Sequence, residues 1–173
     1  SRSLSDDIRS KLREKLKDVV IEGSIDTSVY EIASCCYPIP GDDVIGIVDY
    51  HGPTILHRSN CPEATQLMSR FGNRIVKAKW TNNEPVAFLT GIKISGLDKP
   101  GLIADLTRII AEQHQLNIRS IHMESRGEVM EGTIMLLVFN TEQLQEILFE
   151  MRKVQGVRRA VRITTATELL PDA

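Results

Sequence analysis

Aromatic residues make up only 5% of this chain, with one tryptophan, and only three cysteines occur among its 173 residues. An odd cysteine number with an adjacent pair, Cys35-Cys36, is a poor disulfide framework. It points to a reducing compartment, and the expected location is cytoplasmic. No apolar run approaches the roughly 20 residues of a membrane span, and no signal-peptide pattern opens the chain, so no membrane partner is expected. A charge excess of one sign is missing too. The 21 Lys+Arg against 23 Asp+Glu leave a net charge of −2, which excludes a general electrostatic pull toward nucleic acid. There is no phosphate-cradling glycine loop, no paired-carboxylate metal site and no HD-type histidine–aspartate pair, so catalytic residues are expected to be none. What remains, 42% apolar and 25% charged, is the composition of one ordinary globular domain or two small ones.

Two textures divide the chain. Leu4, Ile8, Leu12 and Leu16 make one narrow apolar stripe on a charged helix, which needs a partner surface, such as a neighbouring chain or an upstream domain. From Val19 to Trp80 the segments are short. Val44–Val48 and Thr54–His57 flank Gly52-Pro53 as a β-hairpin. Asn60 and Glu63 resemble a capping box for a helix running to about Phe71, and Arg74–Trp80 reads as a returning strand. The polar joint Thr81-Asn82-Asn83-Glu84-Pro85 marks a boundary. Beyond it the elements lengthen into strand, helix, strand, strand, helix, strand, with Gly156 placed as the last helix's stop. That order is the ferredoxin-like βαββαβ fold, a four-stranded antiparallel sheet with both helices on one face. The fold class is therefore α+β, a small α/β domain followed by a ferredoxin-like one. The expected bounds are a linker helix over 1–20, a first domain over 21–84 and a second over 85–173.

Residues 34–61, SCCYPIPGDDVIGIVDYHGPTILHRSNC, hold all three cysteines, with His57 four residues before the last. Cys35, Cys36, His57 and Cys61 are of the types that bind zinc. Neighbouring side chains on extended backbone point apart, however, so Cys35 and Cys36 converge on one ion only through a sharp local bend. Two other readings stay open. Cys61 near a helix start could pair with His57 as a nucleophile, although no third residue is evident to orient the imidazole. Alternatively, one of the paired cysteines is a small buried hydrophobe, with His57, Arg58 and Cys61 lining a face.

In the second domain, Gly96–Ile103 joins strand to helix. Asp98 suits a helix cap, Gly101 permits close backbone approach, and the first amides of the helix could receive a carboxylate, with Asn117 supplying an amide nearby. An ordinary well-capped turn explains the same residues. Thr133–Phe139 is apolar on both alternating sets, Ile134, Leu136 and Val138 against Met135, Leu137 and Phe139. Helices cover one face only, so the other calls for a second subunit or domain.

GLDKPGLIADLTRIIAEQHQLNI resembles the opening half of an ACT domain, a small regulatory module that binds amino acids. CCYPIPGDDVIG…HR…C resembles the RIS, or zinc-finger, domain that precedes the ACT domain in long RelA/SpoT homologues, the (p)ppGpp synthetase/hydrolases of the stringent response. The resemblance implies a non-catalytic C-terminal regulatory region whose parent is a GTP pyrophosphokinase and (p)ppGpp hydrolase with its catalytic domains upstream. It also implies partners: the ribosome (rRNA and A-site tRNA), the parent's own catalytic domains, and a homodimer through the ACT sheet. The implied ACT ligand site comprises Asp98, Gly101, Leu102, Ile103, Asn117 and Ile118. Gly96 stands where serine-binding relatives carry a polar residue, and Leu97, Leu102 and Ile118 favour a branched-chain amino acid. With the resemblance, His51, His57, Arg58 and Arg158 become residues expected to touch RNA; by charge alone they are solvated surface. The alternative is an amino-acid-sensing ACT dimer without ribosome contact.

Overall fold

The computed structural model describes residues 19–21, 30–81 and 86–165. The helix expected over 3–17 and residues 82–85 of the polar joint lie outside them. The chain divides into two compact units between Val86 and Ala87, with Ile39–Gly41 grouped with the second.

The first unit is a five-stranded sheet, β1 (Val19–Ile21), β2 (Tyr30–Ile32), β3 (Val44–Ile47), β4 (Thr54–Arg58) and β5 (Ile75–Trp80), in the order β1-β5-β3-β4-β2. The expected hairpin is β3–β4, paired antiparallel with Val44 opposite Arg58 and Ile47 opposite Ile55. Only β2 runs parallel, along β4. Helix α1 (Pro62–Phe71) follows β4 and continues into a 3-10 turn, Gly72–Arg74. Its cap differs from the expected capping box: Cys61 occupies that position with extended backbone and no side-chain hydrogen bond. Pro62 fixes the first helical φ by itself and needs no lost amide there. The core is thin and two-sided. Val44, Leu56 and Ala78 pack with Tyr30, Ile32, Val76 and Trp80. On the other side Ala33, Cys36, Cys61 and Ala64 pack with Cys35, Ile45, Ile47 and Ile55.

The second unit has the expected βαββαβ order: β6 (Phe88–Leu97), α2 (Leu102–Arg108), β7 (Ile118–Arg126), β8 (Val129–Val138), α3 (Thr141–Lys153) and β9 (Val157–Arg162). The sheet runs β7-β8-β6-β9 with every pairing antiparallel. Helix α2 widens into a π turn, Ile109–Gln113, where the His114 amide donates to the Ile109 carbonyl at 3.1 Å. The wider turn keeps Ile109, Ile110 and Leu116 all buried. Along β8, Met130, Ile134, Leu136 and Val138 are buried, as are Phe88, Thr90, Ile92 and Ile94 of β6. These side chains alternate onto one face, which meets Leu102 and Leu106 of α2 and Leu144, Ile147, Leu148 and Met151 of α3. On the opposite face Met135 and Leu137 are half-buried, and Phe139, just beyond β8, is exposed.

One core group is mismatched to its surroundings. Thr90 is fully buried and its hydroxyl has no hydrogen-bond partner among the described residues. A buried unsatisfied hydroxyl costs on the order of 1–3 kcal/mol. Replacing it with an isosteric methyl, Thr90→Val, is therefore expected to stabilise this unit by about 1 kcal/mol, read as a raised thermal midpoint.

Candidate metal centre

The bend that the adjacent cysteines require is present. The Tyr37 amide donates back to the Ala33 carbonyl at 3.0 Å, and Tyr37 itself takes a left-handed φ of 42°. Residues 33–37 thus form a single helical turn closed by a left-handed residue, much as helices end. On a turn, consecutive side chains diverge by about 100° instead of the 180° of a strand. Cys35 and Cys36 therefore face the same point. The condition that their adjacency sets for a shared ion, a sharp local bend, is met by this turn.

Two other elements complete the cluster. His57 comes from β4, where it is 5% exposed, and Cys61 from the head of α1, where it is 3% exposed. The Cys35 sulfur lies 3.2 Å from His57 Nδ1, 3.6 Å from the Cys61 sulfur and 3.8 Å from the Cys36 sulfur. Cys36 Sγ to His57 Nδ1 is 4.0 Å, and all four donor atoms lie within 4.8 Å of one another. Four donors about 2.0–2.3 Å from a tetrahedral ion stand roughly 3.5–3.8 Å apart. The cluster matches that spacing and could hold a metal ion. The Arg58 backbone amide donates to Cys36 Sγ at 3.3 Å, the kind of outer contact that holds a thiolate ligand in place.

Electrostatics sharpen the point. Burial pushes the Cys35 thiol far above its ordinary range, and the neighbouring Cys61 and Cys36 sulfurs add to the shift. Burial also pushes Cys36 up to about 11, although the Arg58 amide pulls the other way. His57 is pulled down by burial, against a smaller opposing effect of Glu63. Without an ion this is a neutral knot of thiols and imidazole in a thin core. A divalent cation would reverse the preference of the sulfurs and hold them as thiolates. The nucleophile pairing of Cys61 with His57 finds no support in the contacts, because Nδ1 faces Cys35 and Cys36.

The other expected site residues fall unevenly. His51 and Arg158 are exposed. His57 is buried, and the Arg58 side chain is 15% exposed and paired with Asp42 at 3.7 Å. Arg74, which the sequence places in a basic cluster with Arg70, Lys77 and Lys79, is set beside aromatic rings. The Arg74 guanidinium lies 5.1 Å from the centre of the Tyr50 ring and 4.9 Å from that of Phe71. Tyr50 is 67% exposed and Phe71 39%. The i, i+3 spacing of Phe71 and Arg74 was visible, but Tyr50 joins them only once the β3–β4 turn is placed. In the second unit Asp98 is exposed and its amide donates to the Glu128 carbonyl at 2.8 Å. Asp98 is not the cap of α2; Gly101 is, with φ 86° and open space where a Cβ would sit. Leu102 is fully buried in the core, whereas Ile103 is 41% exposed. Asn117 is exposed and Ile118 half-buried.

Comparison with known proteins agrees with this division. Residues 19–81 match the RelA/SpoT RIS domain, and residues 84–162 match the ACT domain. A GTP pyrophosphokinase of Streptomyces coelicolor is 34% identical over 149 residues, covering 86% of this chain and 17% of the relative. The bifunctional (p)ppGpp synthase/hydrolase RelA of Mycobacterium tuberculosis is 31% identical over 137 residues, covering 79% of this chain and 18% of the relative. The chain thus spans under a fifth of the length of these curated relatives. Among solved structures, the ACT domain from the GTP pyrophosphokinase of Chlorobium tepidum is 35% identical, covering 45% of this chain and all of that one, with a TM-score of 0.41.

Proposed function

The chain belongs to the RelA/SpoT family through its RIS and ACT domains, and from that premise we propose that it works as the ribosome-contacting regulatory region of a cytoplasmic (p)ppGpp synthetase/hydrolase. Both matched domains are regulatory ones, and pyrophosphoryl transfer is assigned to the part of the parent that this chain does not span. The observation that carries the ribosome reading is the Arg74 guanidinium between two exposed rings, Tyr50 and Phe71. RNA outside regular helices is bound by stacking its bases on aromatic rings, which Tyr50 and Phe71 expose, with the Arg74 charge beside them for phosphate. His51, beside Tyr50 on the same turn, and Arg70, close to Phe71 on α1, are exposed and add donors for phosphates.

Zinc in the Cys35, Cys36, His57 and Cys61 cluster is the structural part of this reading. It would fasten α1 to the sheet and so set the position of Phe71. In the ACT domain, the open space beside left-handed Gly101 supports placing a branched-chain amino acid there. The half-buried Met135 and Leu137 support a second copy across the bare sheet face.

The ribosome reading is tested by co-sedimentation of the chain with ribosomes. A Tyr50→Ala/Phe71→Ala double variant is expected to bind at least about tenfold more weakly, since stacking is worth roughly 1–3 kcal/mol per base. Binding should also weaken as salt is raised. Unchanged binding by the folded double variant would remove this surface from the account.

A further inference from the structure

We propose that Cys35 and Cys61 are a peroxide-sensitive modification site that closes into a disulfide and dismantles the four-donor cluster. The inference rests on the arrangement of the three sulfurs in the folded first unit.

Cys35 is the hub of the cluster. Its sulfur is within 3.8 Å of both other sulfurs and 3.2 Å from the imidazole. It is also the one half-buried cysteine; Cys36 and Cys61 are 2% and 3% exposed. A small oxidant arriving from solvent therefore reaches Cys35 first. Two sulfurs stand close enough to resolve the product, and geometry chooses between them. Cys36 is the sequence neighbour, and a bond between adjacent cysteines closes a small ring that strains the peptide between them. Its sulfur is also held by the Arg58 amide. Cys61 has no such restraint. Its sulfur is 3.6 Å away, and it comes from the junction between β4 and α1, opposite the turn that carries Cys35. Reaching the roughly 2.05 Å of a disulfide takes an approach of about 1.5 Å, within reach of side-chain rotation and slight movement of two loop-borne residues.

The chemistry balances with hydrogen peroxide as the oxidant. Burial keeps the Cys35 thiol protonated, so the attack needs a base at the sulfur. His57 Nδ1, 3.2 Å away, takes the thiol proton as the sulfur attacks one peroxide oxygen. The O–O bond breaks, and the leaving hydroxide collects that proton as water. Cys35 is then a sulfenic acid, oxidised by two electrons. The Cys61 sulfur attacks the Cys35 sulfur, the S–O bond breaks and a second hydroxide leaves. The two thiol protons and two hydroxides make two waters. Two of the four donors are then spent on each other, so Cys36 and His57 alone remain. A dithiol reductant restores the site.

The test treats the purified full chain with hydrogen peroxide after its metal content has been measured. The free-thiol count is expected to fall from three to one. Non-reducing peptide mapping should link Cys35 to Cys61, and dithiothreitol should undo the link. Any bound metal should be released in step with the cross-link, as read by a chromogenic chelator. In Cys61→Ser, Cys35 should accumulate as a sulfenic acid trapped by dimedone. A Cys35–Cys36 link, or three thiols surviving a peroxide excess, would overturn the proposal; if Cys61→Ser fails to fold, the wild-type map decides alone. Failure of the metal reading shows separately, as a chain that holds no metal before peroxide is added.

Discussion

A strong chelator is expected to unfold the first unit and leave the second folded. The reason lies in how little apolar material holds α1 to its sheet. Ala64 is its one buried residue, and the cluster on that side has Ala33, Cys36, Cys61 and Ala64 as its fully buried members. Alanine and cysteine bury little area, and a core of this size is marginal without a staple. The four donors occupy the position that large aliphatic side chains would fill in a self-sufficient domain. A structural zinc contributes on the order of 10 kcal/mol to a small fold, comparable with the whole stability of an ordinary domain, about 5–15 kcal/mol. Losing it should therefore abolish folding of the first unit instead of lowering its midpoint slightly. The second unit has its own core, in which Ile92, Leu102, Leu106, Ile110, Ile134, Leu136, Leu144 and Ile147 are each fully buried. Calorimetry should show two transitions in the loaded protein and only the second after chelation. Cys36→Ser should do the same without a chelator. Two unchanged transitions in both experiments would show that the sulfurs are merely packing groups.

This division of labour explains what could be read from the chain and what could not. The second unit announces itself because its elements are long and regular. β8 alternates over ten residues and α3 runs for thirteen, so periodicity alone outlines the βαββαβ order. In the first unit, β2 has three residues and β3 four, too few for period to speak. The parallel partnership of β2 with β4 has no local signature at all. The metal cluster was legible as residue types, while the bend it requires was not. Spacing rules assume the backbone around a ligand is extended, and only the left-handed Tyr37 reveals the turn that brings Cys35 and Cys36 together. Leu102 is another residue whose place was hidden. It read as a lining residue of a ligand loop, yet it is fully buried and belongs to the core. The Tyr50–Arg74–Phe71 sandwich was invisible because it joins a hairpin turn to residues more than twenty positions away.

Metal affinity should depend on pH far more steeply than the stability of the metal-free chain does. Without an ion, burial lowers the pKa of His57 from its ordinary 6.5. Below pH 6.5 the unfolded chain then binds the proton more readily, and stability falls as pH drops toward the folded value. Burial raises Cys35 and Cys36 above 9.0. Above pH 9.0 the unfolded chain releases those protons first, and stability falls as pH rises. Between about pH 6.5 and pH 9, then, burying His57, Cys35 and Cys36 as neutral groups costs a metal-free fold nothing in protons. The loaded chain behaves differently, because Cys35 and Cys36 must each give up a proton for the ion to bind. His57 is already neutral over that window and adds nothing to the slope. Two displaced protons make the affinity climb by at least about a hundredfold per pH unit below pH 9, or about a thousandfold between pH 6.5 and pH 8. Competition with a chelator of known proton affinity, run across that range, measures the slope directly. A slope near zero would mean that the sulfurs enter the site already ionised, and would contradict the burial that defines this cluster. The steep slope would also give the loaded unit a sharp acid limit, since protons would displace the ion from the sulfurs.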